Sequence, residues 1–254
     1  MNSITARKRR ALAQSAGNAM FGQNMTFAAK EAYKLLRTNL LFSLPEAVDG
    51  KAYIIGVTSS LRGEGKSTTT INLASTLAEQ GERVLVVEGD LRLPSLHKKL
   101  NTAPRPGLSN ILVTKGDPTR FTQTVRVGNL NERPITFDLL AAGDIPPNPS
   151  ELIGSARMKQ KLEQLARGYS FILLDLPPVT AVTDALVATK LVDGIIMVVR
   201  NDYTDSGSLR EAMRQMKLAD ARMLGFVYTC AGSSSSGYHK KYQYRYGGDY
   251  ASKE

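Results

Sequence analysis

The chain has 254 residues, of which 42% are hydrophobic and 22% are charged, and these proportions exclude fibrous and wholly disordered proteins. Its formal net charge of +10 suits an anionic partner, such as nucleic acid, a lipid surface or polyphosphate, without choosing among them. No apolar run approaches the roughly eighteen residues that cross a bilayer, and the first residues lack a signal peptide, so we expect a cytoplasmic protein with one α/β domain.

The chain begins with a polar stretch, residues 1–27, whose composition predicts a flexible basic arm. The cations at positions 7–10 are typical of a solvated segment, and a weak attraction to a membrane surface is the alternative. A helix is predicted over residues 28–42, because apolar side chains recur there at helical spacing.

From residue 51 onward, short apolar runs alternate with helical patterns. The runs predicted as strands are 53–58, 83–87, 137–141, 171–174, 195–199 and 224–228. The segments predicted as crossover helices are 66–80, 150–166, 181–191 and 206–219. The strands are nearly continuous in Val, Ile and Leu, which is typical of parallel strands buried on both faces. The predicted fold is therefore a doubly wound, mostly parallel α/β sheet, and the loop at residues 60–67, described below, indicates the P-loop NTPase type.

The last part of the chain changes in composition. Residues 232–254 are rich in serine, glycine and tyrosine and cannot build a core, so we predict a disordered tail after a folded domain over residues 28–231. The single cysteine, Cys230, is expected to be a small buried side chain rather than a reactive thiol.

Residues 60–67 have the spacing and the Gly-Lys-Ser ending of a Walker A loop, between a predicted strand and a predicted helix. Gly63 and Gly65 allow the backbone to bend so that its N–H groups face phosphate oxygens at a helix N-terminus. Lys66 can then reach the β and γ phosphates of ATP, and the Ser67 hydroxyl has the position that binds Mg²⁺. A glycine turn with an exposed lysine is the alternative. The predicted nucleotide contacts are Ser60, Arg62, Gly63, Glu64, Gly65, Lys66, Ser67 and Thr68.

Carboxylates follow two of the predicted strands, where ligands of an open α/β sheet collect. Asp175 follows an apolar run in a Walker B pattern and is the predicted outer-sphere metal ligand. Glu88 and Asp90 follow another run with period-two spacing, so both lie on one side of an extended segment. We expect this pair to supply a metal ligand and a general base, and each acid alone also fits a turn or a helix cap.

Five tyrosines lie among glycines and cations in the predicted tail: Tyr238, Tyr242, Tyr244, Tyr246 and Tyr250. A flexible segment of this length reaches roughly 25 Å, so these phenols can visit the phosphate site as phosphoacceptors. A tail that stacks on nucleic-acid bases is one alternative, and an inert low-complexity end is another.

Taken together, these motifs resemble the bacterial tyrosine kinases of capsule and exopolysaccharide export. The matching segments are the G-E-G-K-S-T loop, Asp90-Leu91-Arg92, Pro106-Gly107-Leu108-Ser109, Pro146 to Leu152, Leu174 to Pro178 and the tyrosine tail. The resemblance implies ATP-dependent autophosphorylation of the tail between subunits of a ring-shaped homo-oligomer, for which an octamer is one candidate size. It also implies two protein partners, a transmembrane activator of the polysaccharide co-polymerase type and a tyrosine phosphatase, and no specific nucleic-acid partner. The activator would hold the protein at the inner face of the plasma membrane.

The chain departs from the family pattern at several positions. The helix motif for subunit association reads Glu31-x-x-Lys34-x-x-Arg37, with lysine in place of an arginine. Glu88 stands where the family usually has aspartate, and Thr229 stands near the place of a base-binding asparagine. Leu61 replaces the signature lysine of partition and septum-site ATPases, which remain the alternative function.

Overall fold

One central sheet organises the described part of the chain. A computed structural model describes residues 22, 25–45 and 51–231. Within these residues the strands are β1 (Tyr53–Ser59), β2 (Val84–Glu88), β3 (Gln123–Leu130), β4 (Arg133–Leu140), β5 (Phe171–Asp175), β6 (Gly194–Arg200) and β7 (Met223–Thr229). They form one sheet in the order β3-β4-β2-β5-β1-β6-β7. All neighbouring strands are parallel except β3 and β4, so the predicted fold class is confirmed.

Helices cover both faces of this sheet. They are α1 (Phe27–Ser43), α2 (Lys66–Ala78), α3 (Leu96–Leu100), α4 (Leu108–Val113), α5 (Pro149–Ile153), α6 (Ala156–Ala166), α7 (Asp184–Ala188) and α8 (Ser206–Leu218), with short 3₁₀ turns at Pro118–Phe121 and Thr189–Leu191. Successive residues of β2 point to opposite faces: Leu85 packs in the cluster that includes α6 and α8, and Val86 packs in the cluster that includes α1 and α2. This two-sided burial explains the continuous apolar runs of the central strands.

The antiparallel hairpin of β3 and β4 differs from the expected single strand at 137–141. Its turn is formed by Asn131 and Glu132, which have φ angles of 46° and 65° and provide the left-handed backbone of a tight hairpin. Much of β3 is exposed, and its register shifts between Arg126 and Gly128. The apolar signal of a buried strand is therefore weak in β3.

Two predicted helices are shorter or divided in the structure. The segment 150–166 forms α5 and α6, which are separated where the Ser155 side chain accepts a hydrogen bond from Met158 N and begins a new helix. The segment 181–191 forms α7 only from Asp184 and then a 3₁₀ turn. In the first case, a local polar side chain interrupts the helix where apolar spacing alone predicts continuation.

The end of β7 shows the surroundings of the single cysteine, Cys230. Cys230 is exposed where the chain leaves β7, so the expectation of a buried cysteine was wrong. The sheet ends at Thr229, and the next side chain has no core to enter. In residues 22, 25–45 and 51–231, no helix combines the length and the apolar character needed to cross a membrane.

Candidate active site

Three of the predicted catalytic side chains meet beyond the carboxyl ends of β1, β2 and β5. Lys66, the first residue of α2, places its Nζ 3.4 Å from Asp90 Oδ2 and 3.7 Å from Asp175 Oδ1. Asp175 ends β5, and Asp90 follows β2 by two residues. The adjacent, parallel arrangement of these strands brings the three groups together, because their carboxyl ends share one edge of the sheet.

The phosphate loop connects β1 to α2 and has the backbone that its glycines predict. Gly63 and Gly65 have φ angles of 85° and 98°, a left-handed conformation that is costly for other residues. Gly65 N-caps α2, so the loop passes directly into the N-terminus of a 13-residue helix, where backbone N–H groups favour an anion. This geometry suits the binding of a phosphate chain.

Two residues of the loop direct their side chains into the protein. The Glu64 carboxylate is buried and accepts hydrogen bonds from Ser60 Oγ at 2.9 Å, from Leu61 N at 2.7 Å and from the Thr204 hydroxyl. Ser60 and Glu64 were both predicted to contact the nucleotide. Their side chains support the loop from inside, so the prediction now concerns their backbone groups. Arg62 is exposed at the tip of the loop, and Thr68 is half-buried in the first turn of α2.

The Asp175 carboxylate is fully buried, and this burial raises its pKa, whereas the nearby Lys66 ammonium and Ser67 hydroxyl favour its charged form. Among the described residues, no hydrogen-bond donor reaches Asp175 Oδ1. A buried carboxylate oxygen without a donor is costly unless another partner is supplied.

The residues around Asp175 fit a hydrated Mg²⁺. This ion prefers oxygen ligands, keeps several waters, and is commonly held by one or two carboxylates together with substrate phosphates. Ser67 and Asp175 offer such oxygens beside the phosphate loop. In the part of the chain that the structure describes, no group of three or more His, Cys, Asp or Glu side chains is arranged to hold a metal.

Glu88 is held differently from Asp90 and Asp175, although it is the register partner of Asp175. Its Oε1 accepts hydrogen bonds from Ser95 N and Leu96 N, both at 2.5 Å. Its Oε2 accepts from Ala142 N at 3.1 Å and lies 3.4 Å from His97 Nδ1. Both oxygens of this buried side chain are engaged, so the geometry does not favour the metal-ligand and general-base roles expected from the sequence.

Asp90 retains an oxygen that faces the phosphate loop. Its Oδ1 accepts a hydrogen bond from Leu93 N at 3.0 Å, which fixes the side chain, and its Oδ2 faces Lys66. Of the two acids after β2, Asp90 is therefore the one that directs a carboxylate oxygen toward Lys66.

Arg92 forms an ion pair that was not predicted from the sequence. Its guanidinium donates to Asp184 Oδ2 at 3.0 Å and Oδ1 at 3.1 Å, and to Ser150 Oγ at 3.1 Å. Asp184 is completely buried at the start of α7. This bidentate pair connects the loop that carries Asp90 to α5 and α7. The Asp90-Leu91-Arg92 motif was the feature of the sequence that could have indicated a role for Arg92.

The remaining predicted residues that the structure describes lie on α1 and at the end of β7. On α1, Lys34 Nζ is 2.9 Å from Glu31 Oε1, and Arg37 donates to Thr76 O of α2 at 2.7 Å. Thr229 donates to Glu64 O at 2.7 Å and thus contacts the phosphate loop. The five predicted phosphoacceptor tyrosines lie outside the described residues.

Comparisons with known proteins agree with this geometry. The AAA domain family matches residues 52–223. Tyrosine-protein kinase YwqD of Bacillus subtilis (strain 168) is 33% identical over 197 residues, which cover 78% of this chain and 79% of that protein. Tyrosine-protein kinase Wzc of Salmonella typhi is 31% identical over 89% of this chain but only 30% of its own length.

A solved structure, the kinase domain of the Escherichia coli tyrosine kinase ETK, superimposes with a TM-score of 0.69 at 29% identity, covering 82% of this chain and 79% of that one. The matched region of this chain includes the phosphate loop, Asp90 and Asp175. The chain belongs to the family of bacterial tyrosine-protein kinases, which are built on a P-loop domain of the AAA type.

Proposed function

We propose that the protein is an ATP-dependent autokinase that phosphorylates tyrosines near its own C-terminus and so regulates capsule or exopolysaccharide synthesis and export. The observation that carries this proposal is the position of the Lys66 ammonium, which lies between Asp90 and Asp175 at the N-terminus of α2. Membership of the tyrosine-kinase family supports transfer to tyrosine rather than hydrolysis alone.

In this proposal the phosphate loop and Lys66 bind the triphosphate of ATP. The backbone N–H groups around Gly63 and Gly65 contact phosphate oxygens, and Lys66 contacts the β and γ phosphates. Ser67 and Asp175 hold Mg²⁺, which when bound neutralises part of the phosphate charge. Together these groups position the γ-phosphate at the edge of the sheet.

The transfer step needs a nucleophile, a leaving group and a proton acceptor. The phenolic oxygen of a tail tyrosine attacks the γ-phosphorus, the bond from that phosphorus to the β–γ bridging oxygen breaks, and ADP leaves. Asp90 accepts the phenolic proton, and Lys66 stabilises the charge that develops on the transferred group. Glu88 keeps the loop of Asp90 in place through its backbone contacts.

Tyr238, Tyr242, Tyr244, Tyr246 and Tyr250 are the proposed phosphoacceptors. All five lie in the last 23 residues of the chain, which follow the described domain. A segment of that length is long enough for each phenol to reach the phosphate site. Phosphorylation would add almost two negative charges at each position and change the interactions of this cationic segment.

We further propose assembly into a ring-shaped homo-oligomer and activation by a transmembrane co-polymerase-type partner at the inner face of the plasma membrane, with a tyrosine phosphatase reversing the modification. Helix α1 supports subunit contact, because Leu35 and Phe42 are 59% and 84% exposed. The Glu31–Lys34 pair is also exposed. Arg37 is bonded within its own chain, so its contribution to assembly would be indirect.

The proposed function is tested by incubating the protein with Mg-ATP and mapping tail phosphorylation by mass spectrometry, with and without the activating partner. Lys66→Met should abolish tail phosphorylation, because the loop loses the cation that contacts the β and γ phosphates. Lys115→Met, at an exposed position, is the matched control and should behave as the wild type. ATP turnover with unmodified tyrosines in the presence of the partner would instead support a partition-type ATPase.

A further inference from the structure

Side chains from outside the phosphate loop donate hydrogen bonds to its backbone carbonyl groups. Five consecutive carbonyl oxygens, those of residues 60–64, each accept such a hydrogen bond. The donors are, in order, Thr180 Oγ1 at 2.7 Å, Ser59 Oγ at 2.7 Å, Tyr203 Oη at 3.0 Å, Arg200 Nη1 at 3.1 Å and Thr229 Oγ1 at 2.7 Å.

Two of these donors are Arg200, the last residue of β6, and Tyr203, in the turn that follows. They lie 137 and 141 residues along the chain from the peptides that they contact. The Arg200 guanidinium also lies over the Tyr203 ring, 5.1 Å from its centroid. Thr204 connects the same turn to the loop, since its Oγ1 accepts from Arg200 N at 2.9 Å and donates to the Glu64 carboxylate. The turn and the loop therefore form one hydrogen-bonded unit.

Peptide geometry links these outer contacts to the inner surface of the loop. The C=O of one residue and the N–H of the next lie in one plane and point in opposite directions. Fixing the carbonyls of Arg62 and Gly63 outward therefore turns the N–H groups of Gly63 and Glu64 inward. In the part of the chain that the structure describes, neither of these N–H groups donates to a protein acceptor.

We propose that Tyr203 and Arg200 are positioning residues for phosphate binding, which orient the N–H groups of Gly63 and Glu64 toward the phosphate chain of a bound nucleotide. The inference rests on the proposed function, since it requires the loop to bind phosphates. It concerns residues that lie in no phosphate-binding motif and that are placed by the fold alone.

The test measures the affinities of ADP and of inorganic pyrophosphate, each with Mg²⁺, by calorimetry. Tyr203→Phe keeps the ring and removes only the hydroxyl that donates to Arg62 O. The loss of one such hydrogen bond should weaken both ligands by about three- to ten-fold, and by the same factor, because the effect lies in the phosphate contacts. Arg200→Lys keeps the charge but loses the planar guanidinium, and it should weaken both ligands in the same way.

Tyr228→Phe is the matched control, because Tyr228 is 58% exposed, against 50% for Tyr203, and its hydroxyl donates to Asn201 instead of to the loop. It should bind both ligands as the wild type does. The inference is overturned if Tyr203→Phe and Arg200→Lys bind pyrophosphate with wild-type affinity, or if only ADP binding weakens. A wild-type protein that binds neither ligand would instead overturn the proposed function, and the inference with it.

Discussion

At the scale of single residues, the site contains more negative than positive charge. Lys66 is one cation between two carboxylates, and the Lys66 and Asp90 side chains are only 11% and 10% exposed. Asp175 is buried almost completely. Removing such charges from water is costly unless each has a partner, and here one negative charge is left over. A divalent cation bound beside these carboxylates would offset the excess negative charge.

This imbalance predicts that Asp175→Asn stabilises the nucleotide-free domain while lowering kinase activity on the order of a hundred-fold. The expected gain in stability follows from the pKa of Asp175, which burial raises in the folded state. Urea unfolding without nucleotide or metal measures the stability, and tail phosphorylation measures the activity. Asp202→Asn, at an exposed position, serves as the control.

The sign of the pH dependence follows from the same shift. A carboxyl whose folded pKa is raised binds its proton more tightly in the folded than in the unfolded state, so its favourable contribution is present at low pH. That contribution is lost as the pH rises from about 4, the ordinary carboxyl value, to the raised value. The advantage of Asp175→Asn should therefore appear above about pH 4 and grow with pH. An advantage that shrinks with rising pH would contradict this account.

Glu88 carries a second prediction at the residue scale. Backbone N–H groups of Ser95, Leu96 and Ala142 converge on its two oxygens, and a glutamine would present an NH₂ group to some of them. Glu88→Gln should lower the free energy of unfolding by about 2 kcal/mol, the cost of leaving buried donors unsatisfied. Chemical denaturation measures this change.

The exposed Glu163→Gln is the matched control for Glu88→Gln and should change stability by less than about 0.5 kcal/mol. If Glu88→Gln instead stabilised the ligand-free domain, Glu88 would be a repulsive member of the acid cluster. The metal-ligand role expected from the sequence would then be favoured.

At the scale of elements, α1 packs one side against its own domain and exposes apolar side chains on another. Leu40 is its only completely buried side chain among the described residues, and it packs in the cluster that contains α2. Leu35, by contrast, is 59% exposed. The helix therefore docks on its own domain through Leu40, the partly buried Leu36 and the hydrogen bond of Arg37, and it leaves Leu35 available for the proposed subunit contact.

Leu40→Ala should lower the free energy of unfolding by about 2 to 5 kcal/mol, because it opens a cavity between α1 and α2. Leu35→Ala should leave monomer stability nearly unchanged. Denaturation at low protein concentration compares the two variants, and sedimentation of each reports on assembly. A large loss of monomer stability in Leu35→Ala would show that α1 docks through a different face.

At the scale of the whole molecule, strand order determines which chemistry is possible. The sheet places β1 between β5 and β6, and β5 between β1 and β2. The phosphate loop after β1 is thus flanked by Asp175 on one side and by the turn of Arg200 and Tyr203 on the other. Segments more than a hundred residues apart in the chain become parts of one site.

Local sequence patterns were sufficient to predict the fold class, most strands and helices, and the phosphate loop with Lys66 and Asp175 near it. These features depend on local properties: apolar runs buried on both faces, glycines at left-handed positions and a lysine at a helix N-terminus. The hairpin of β3 and β4 was not predicted, because its exposed edge strand lacks a continuous apolar run.

The tertiary structure was needed to identify the partners of the longer side chains. In it, Glu88 accepts hydrogen bonds from the backbone amides of Ser95, Leu96 and Ala142, and Arg92 donates to Asp184. The Tyr203 hydroxyl donates to the backbone carbonyl of Arg62 in the phosphate loop. A local motif specifies backbone conformation, whereas the partner of a long polar side chain depends on which distant segments the sheet order brings within hydrogen-bond distance.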